Sequence, residues 1–225
     1  MSNLSIVTTA DGSKTIFNAE VGENYHSKHG ALQESQHVFL NSGLRYFLAG
    51  KEADSVSILE VGLGTGLNFL LSADFCTAKQ IKLNYTGIEA YPLTEEMIAQ
   101  TGYDEYISAP TWNIFLEAYA KSTLAKVQLN PCVQLHTAHT QLTGFQSNEQ
   151  FDVIYFDAFA SLHQPEMWSE EAIQHTVQFL KPGGIFVTYA ITGNLKRMLK
   201  VLGLKVEKAP GAPGKREMLR ATNPS

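Results

Sequence analysis

Ser57-Ile58-Leu59-Glu60-Val61-Gly62-Leu63-Gly64-Thr65-Gly66-Leu67-Asn68-Phe69-Leu70-Leu71 is the stretch from which the fold is read. It begins as a short apolar strand, crosses glycines at alternate positions and re-enters an apolar, helix-like run. Strand, glycine turn and helix in that order form a ligand cradle. Glycines allow positive φ and put no Cβ between backbone and ligand, and the following helix offers free N–H groups at its start. A dinucleotide fingerprint, G-x-G-x-x-G, needs its third glycine at position 67, which is leucine. A Gly-Lys-Ser/Thr phosphate loop needs a lysine, and the stretch has none. What remains is G-x-G-x-G with an acid, Glu60, two residues ahead of it. A plain tight turn needs neither three alternating glycines nor that acid.

Outward from this turn the chain reads as a parallel α/β pattern. Residues 5–10 and 14–18 flank Asp11-Gly12 as a β-hairpin, and residues 32–49 repeat apolar side chains at helical spacing, closed by Gly50. A second strand, 83–88, ends at Glu89, 23 residues after Gly66. A carboxylate there suits a ribose diol, because it accepts from two hydroxyls at once. Residues 92–130 read as a helical insertion, with helices at 92–100 and 112–125. The third strand, 133–136, leads to Ala138-His139; the fourth, 151–157, ends at Asp157, where open α/β sheets hold ligands. A helix from Ser169, a strand at 185–189, a helix at 194–202 and strands at 204–208 and 217–221 complete the chain. The expected architecture is one α/β domain over 1–225, a mostly parallel seven-stranded sheet with helices on both faces. Residues 1–50 add an N-terminal hairpin and helix, 92–130 the insertion, and 191–225 a basic C-terminal end.

At 225 residues and 44% hydrophobic the chain has enough apolar side chains for one core. No apolar run approaches the roughly 20 residues of a membrane span, and the N-terminus lacks a basic-then-apolar leader. Cys76 and Cys132 have no metal or redox spacing and are expected as free thiols in a cytoplasmic protein. His26, His29 and His163 have no metal spacing either, so no metal site is expected. Net charge is −5, yet residues 191–225 carry eight Lys or Arg against two Glu. That end is either a docking face for an anionic partner or a set of solvated faces; charge alone does not choose.

The glycine loop with Glu60 resembles the S-adenosylmethionine loop of Rossmann-like methyltransferases. That ligand has no pyrophosphate to clamp, and it carries an ammonium and a sulfonium near which a carboxylate is useful. Further motifs follow in order: Tyr25 through Gly30 and Glu34 to Phe39; Leu67-Asn68-Phe69; Glu89-Ala-Tyr-Pro-Leu93; Asp157-Ala-Phe-Ala160 with Pro165-Glu-Met-Trp168; and Gly214-Lys-Arg-Glu-Met-Leu219. Together, from about residue 20 to 222, they resemble the methyltransferase domain of the MnmC/MnmD tRNA-modification enzymes. The resemblance implies methylation of the exocyclic amine of 5-aminomethyl-(2-thio)uridine at the tRNA wobble position, giving the 5-methylaminomethyl base. In some bacteria this domain is fused to a flavin-dependent oxidase; this chain is expected to be the stand-alone form, with a separate oxidase or aminomethyl-forming enzyme acting upstream. Two positions depart from the pattern. Ala160-Ser161 stands where the family has Ala-Pro, and His139 where related enzymes place an acid for the adenine, so a backbone-only adenine contact is expected.

The resemblance and the residue chemistry together nominate the site. Tyr25, Glu60, Gly62, Gly64, Gly66, Asn68, Glu89 and His139 are expected at the cofactor. Asp157 is expected at the reacting amine, as proton acceptor or orienting group. Phe159, Lys196, Arg197, Lys200, Lys215 and Arg216 are expected at the tRNA, the basic residues contacting phosphates of the anticodon arm without reading sequence. Tyr25 and Phe159 either wall the methyl donor, stack on the uracil or simply pack, and Trp168 is expected in the core. Two other functions stay open at this stage: a small-molecule amine methyltransferase or aminopropyl transferase, and a non-catalytic SAM- or RNA-binding module.

Overall fold

The structure is a computed structural model and describes residues 3–224. Asp11-Gly12 turns the chain between β1 (Leu4–Thr8) and β2 (Lys14–Asn18), with Leu4 opposite Asn18. Gly12 takes φ 87°, and Asp11 Oδ1 accepts the Ser13 N–H at 3.0 Å. A short β3 (Glu23–Asn24) adds to β2, so the expected hairpin is a three-stranded sheet.

Helix α1 spans 31–48 and is widened to a π-helix over Ser35–Arg45. Its buried Val38, Phe39 and Leu44 face the main sheet. Gly43 lets it approach closely: a Cβ there would lie 2.8 Å from Tyr155 Cε1 and 3.0 Å from Val187 Cγ2. Gly43→Ala is therefore expected to cost about 1–3 kcal/mol by overpacking, read as a lower denaturation midpoint.

Apolar Ile58, Leu59 and Val61 are buried in β4 (Ser55–Val61), which runs through the middle of the main sheet. After the glycine turn come α2 (Leu67–Lys79), which holds buried Cys76, and β5 (Lys82–Glu89). Residues 92–130 then depart from expectation. They form α3 (Glu95–Ala99) and α4 (Ala109–Ser122), but the end of the segment is β6 (Val127–Asn130), an antiparallel edge strand on β7 (Val133–His139). The physical reason is local: Leu129 points into the core, and Asn130 Oδ1 accepts the N–H groups of Cys132 and Val133, closing a tight turn. The main sheet consequently has eight strands, not seven.

Strand β8 (Phe151–Phe156), helix α5 (Glu170–Val177), β9 (Leu180–Thr188), α6 (Gly193–Val201), β10 (Lys205–Pro210) and β11 (Glu217–Thr222) complete the order β10-β11-β9-β8-β4-β5-β7-β6. The five strands from β9 to β7 run parallel to one another; the pairings of β6 with β7, of β11 with β9 and of β10 with β11 are antiparallel. Helix α5 starts where its sequence signal places it, because Ser169 Oγ caps it by accepting the Ala172 N–H at 3.2 Å. Alternation along the strands feeds two layers. Ile58, Tyr85, Tyr155 and Val187 pack with α1, α2 and α4, while Leu59, Ile154, Phe156 and Phe186 pack with α5 and α6. Both faces are covered, as a parallel sheet requires, and the ends of β4, β5, β7 and β8 open at one edge.

Candidate active site

The three glycines of the turn have positive φ, 84° at Gly62, 52° at Gly64 and 78° at Gly66, but they face different neighbours. A Cβ on Gly62 would sit 2.6 Å from the Asp157 carbonyl oxygen, so this glycine lets the ends of β4 and β8 touch. A Cβ on Gly64 would sit 2.9 Å from Tyr25 Cδ1, and its N–H donates to Glu89 Oε2 at 2.9 Å. Gly66 meets the Phe115 ring, 2.7 Å from a built Cβ. Gly62 and Gly64 therefore line the cleft, whereas Gly66 seats α2 on the core.

The cleft above this turn has a volume of about 1330 Å³. Glu89, Tyr91 and Leu93 form one wall with His139, Thr140 and Leu142; Asp157 and Phe159 lie across from them. Its cover comes from the N-terminal sheet and the segment after it: Asn18, Val21, Tyr25 and His26. Glu23 Oε2 accepts the Ala160 N–H at 2.8 Å, and the Tyr25 and Phe159 rings meet edge-on at 5.1 Å. These contacts tie β3 to the loop after β8. Burial, with the Glu89 charge adding to it, pushes the Tyr25 phenol up to about 12. His26, buried with Nδ1 3.0 Å from Thr15 Oγ1, is lowered to about 4 by desolvation and is a neutral imidazole near pH 7.

Asp157 and Glu60 are joined by Asn68. The Asn68 Nδ2 amide donates to Glu60 Oε1 and to Asp157 Oδ2, both at 2.8 Å, and Tyr85 OH donates to Glu60 Oε2 at 2.7 Å. Glu60, expected at the cofactor, is fully buried beneath the cleft and does not line it. Both of its oxygens are engaged inside the fold, by Asn68 and Tyr85. Desolvation pushes the Glu60 carboxyl well above the usual carboxylate range. Asp157, only partly exposed, is also pushed up, first by burial and then by Glu34; the Asn68 amide and Lys215 pull it the other way, and Glu23 adds to the rise.

The shift of Glu60 has a consequence for stability. The folded protein keeps this proton at pH values where an unfolded glutamate, near 4.5, has lost it. The associated stability is complete below that value and is lost as pH rises toward the folded pKa. Glu60→Gln is expected to flatten this part of the pH dependence, seen as a smaller drop in Tm between acidic and neutral buffer.

The other nominated residues separate. His139 lies at the cleft wall opposite Glu89 in the β5–β7 register. Lys196, Arg197 and Lys200 lie on α6 and Arg216 on the loop before β11, outside the cleft lining, with Arg197, Lys200 and Arg216 exposed. Lys215, expected at a phosphate, is engaged within the fold. Its Nζ is 2.6 Å from Glu34 Oε2 and 4.2 Å from the Tyr189 ring centre. Trp168 is buried, with its indole N–H donating to the Phe159 carbonyl at 2.8 Å. Sequence pattern does not single out Glu23 or His26 as site groups, and Glu34 enters only as a member of the motif from Tyr25 to Phe39. Among the described residues no group of three His, Cys, Asp or Glu side chains is arranged to hold a metal ion, and no helix is long and apolar enough to cross a membrane.

S-Adenosylmethionine, the cofactor implied by the resemblance, can be set against these groups. Gly62 and Gly64 leave no side chain between backbone and ligand. Glu89 is held at the cleft by the Gly64 and Tyr91 N–H groups, each oxygen keeping a lone pair for a ribose hydroxyl. Asn68 Oδ1 is buried and has no partner among the described residues, and Asn68, like Glu60, lies beneath the cleft and does not line it. The residues that line the cleft fit the group.

Comparison with known proteins agrees. The family model described as S-adenosyl-L-methionine-dependent methyltransferase matches residues 102–224. The "tRNA 5-methylaminomethyl-2-thiouridine biosynthesis bifunctional protein MnmC" of Magnetococcus marinus is 28% identical over 232 residues, covering 97% of this chain and 34% of that protein. The protein of the same name from Cupriavidus necator is 30% identical over 210 residues, covering 88% and 31%. The chain thus spans about a third of the length of the curated relatives it matches. The crystal structure of MNMC2 from Aquifex aeolicus superposes with a TM-score of 0.78 at 23% identity, over 98% of this chain and 70% of that one, a likeness of fold. With more than half of its length matched by that model, over a cleft whose residues suit the cofactor, the chain belongs to the family of S-adenosyl-L-methionine-dependent methyltransferases.

Proposed function

We propose that this protein transfers a methyl group from S-adenosylmethionine to the 5-aminomethyl group of (2-thio)uridine at the tRNA wobble position, in the cytoplasm. The observation that carries the reading is the similarity along 97% of the chain to the methyltransferase-sized part of a protein named for this modification. The placement of Asp157 at the cleft supports it chemically.

When bound, S-adenosylmethionine supplies an electrophilic methyl on a sulfonium. The acceptor amine must offer a free lone pair, yet an alkylamine, by analogy with lysine at about 10.4, is mostly protonated near pH 7. Asp157 can hold the amine through its carboxylate and take a proton from nitrogen. A carboxylate also stabilises the unreactive ammonium, so placing the nitrogen is as much its task as accepting the proton. Tyr25 and Phe159 narrow the space beside it, and alignment of nucleophile and methyl supplies much of the rate. Lys196, Arg197, Lys200 and Arg216 are the candidates for phosphates of the anticodon arm. The wobble base leaves its stack to reach the cleft.

The test is transfer of labelled methyl to two tRNA pools, one carrying 5-aminomethyluridine at the wobble position and one lacking it. Label in the first pool alone is the expected result. Label in neither, with S-adenosylmethionine still bound, removes tRNA as the acceptor and points to small amines.

A further inference from the structure

We infer that Lys215, paired with Glu34, is a positioning residue that favours the ionised form of Asp157. Its ammonium is 2.6 Å from Glu34 Oε2, and the Glu34 side chain is only 6% exposed. The same ammonium sits over the Tyr189 ring, and the Tyr189 hydroxyl donates to the carbonyl of Ala158, the neighbour of Asp157, at 2.8 Å. The other Glu34 oxygen accepts the Ser27 N–H at 3.0 Å, at the foot of the segment that carries Tyr25 and His26. Four parts of the chain therefore meet at one ion pair: α1, the cover of the cleft, the end of β9 and the loop before β11.

The surroundings of Asp157 make the cation matter. Glu34 from α1 and Glu23 from β3 both bear on it as like charges, and Glu60 from β4 interacts with it as well. Tyr85 and Tyr189 face it as neutral phenols, held so first by burial. The Asn68 amide donates to it. Among the described groups that act on Asp157, Lys215 is the cation. Lys215 offsets part of the rise that burial and the neighbouring carboxylates impose; without it Asp157 would be pushed further toward the protonated acid, which can neither take a proton from an amine nor attract one by charge. The catalytic consequence rests on the amine-methylation reading above; the charge coupling does not.

Lys215→Met and Glu34→Gln break the same ion pair but change the local charge in opposite directions. This separates an electrostatic role from a merely structural one. The measurement is a pH titration of the Asp157 carboxyl carbon by NMR in the free protein labelled with ¹³C-aspartate, the resonance assigned by its loss in Asp157→Asn. The titration midpoint is expected to move to higher pH in Lys215→Met, to lower pH in Glu34→Gln, and to stay near the wild type in Lys215→Arg. Shifts in the same direction, or none, overturn the inference. If Lys215→Met does not fold, Glu34→Gln decides it: a downward shift supports the coupling, and an upward shift or no shift ends it. Because no acceptor is present, failure here leaves the tRNA reading standing. Failure of the tRNA assay equally leaves this result intact.

Discussion

Asp157→Asn is expected to lower single-turnover methyl transfer by about 10²–10⁴-fold, the range lost with a positioned proton acceptor, while S-adenosylmethionine still binds. Asparagine has the same shape, and its side-chain oxygen can keep accepting the Asn68 amide, now seen at 2.8 Å from Asp157 Oδ2. What it removes is the negative charge and the basic lone pair. The same substitution is expected to raise Tm in neutral and alkaline buffer. The wild-type carboxyl is pushed up by burial and by Glu34, so ionising it costs folding free energy as pH rises. A variant that melts higher and turns over less is the signature of a strained functional group. Full activity in this variant would move the proton-accepting role to another group.

Gly62→Ala is expected to abolish useful cofactor affinity and to destabilise the fold by about 1–3 kcal/mol through backbone strain. Its φ of 84° is unfavourable for alanine, and the added methyl would lie 2.6 Å from the Asp157 carbonyl oxygen. Backbone cannot move aside as a side chain tip can, so the methyl would push apart the ends of β4 and β8 and displace Asp157. Two companions sharpen the reading. Gly203→Ala, at φ 88° with no atom within 4 Å of the built Cβ, carries the conformational cost alone. Gly66→Ala meets the Phe115 ring and is expected to lose stability more than cofactor affinity. Calorimetric titration with S-adenosylmethionine beside chemical denaturation separates the three.

Much of the architecture is readable from local pattern, because strand, turn and helix signals are short-range. The central strands, the helix after the glycine turn, and Glu89 and Asp157 at the ends of β5 and β8 follow from apolar runs and where they stop. The eighth strand escapes that reading. Val127–Asn130 is too short to declare itself beside a helical segment, and it is made a strand by its partner β7 and the Asn130 turn.

The site divides in the same way. Alternating glycines follow from sequence, but their division of labour does not: which side a glycine faces depends on what packs there, Tyr25 against Gly64 and Phe115 against Gly66. Glu60 is recognisable as a special acid, yet its burial under Asn68 and Tyr85 is a property of the closed sheet. Lys215 belongs by composition to a basic tail, and nothing in its spacing predicts a partner 181 positions earlier. Residue type and periodicity determine which elements form and which chemistry they can present. Only packing decides which charges are desolvated, which are paired and which remain open to a ligand, because those depend on neighbours far apart in the chain.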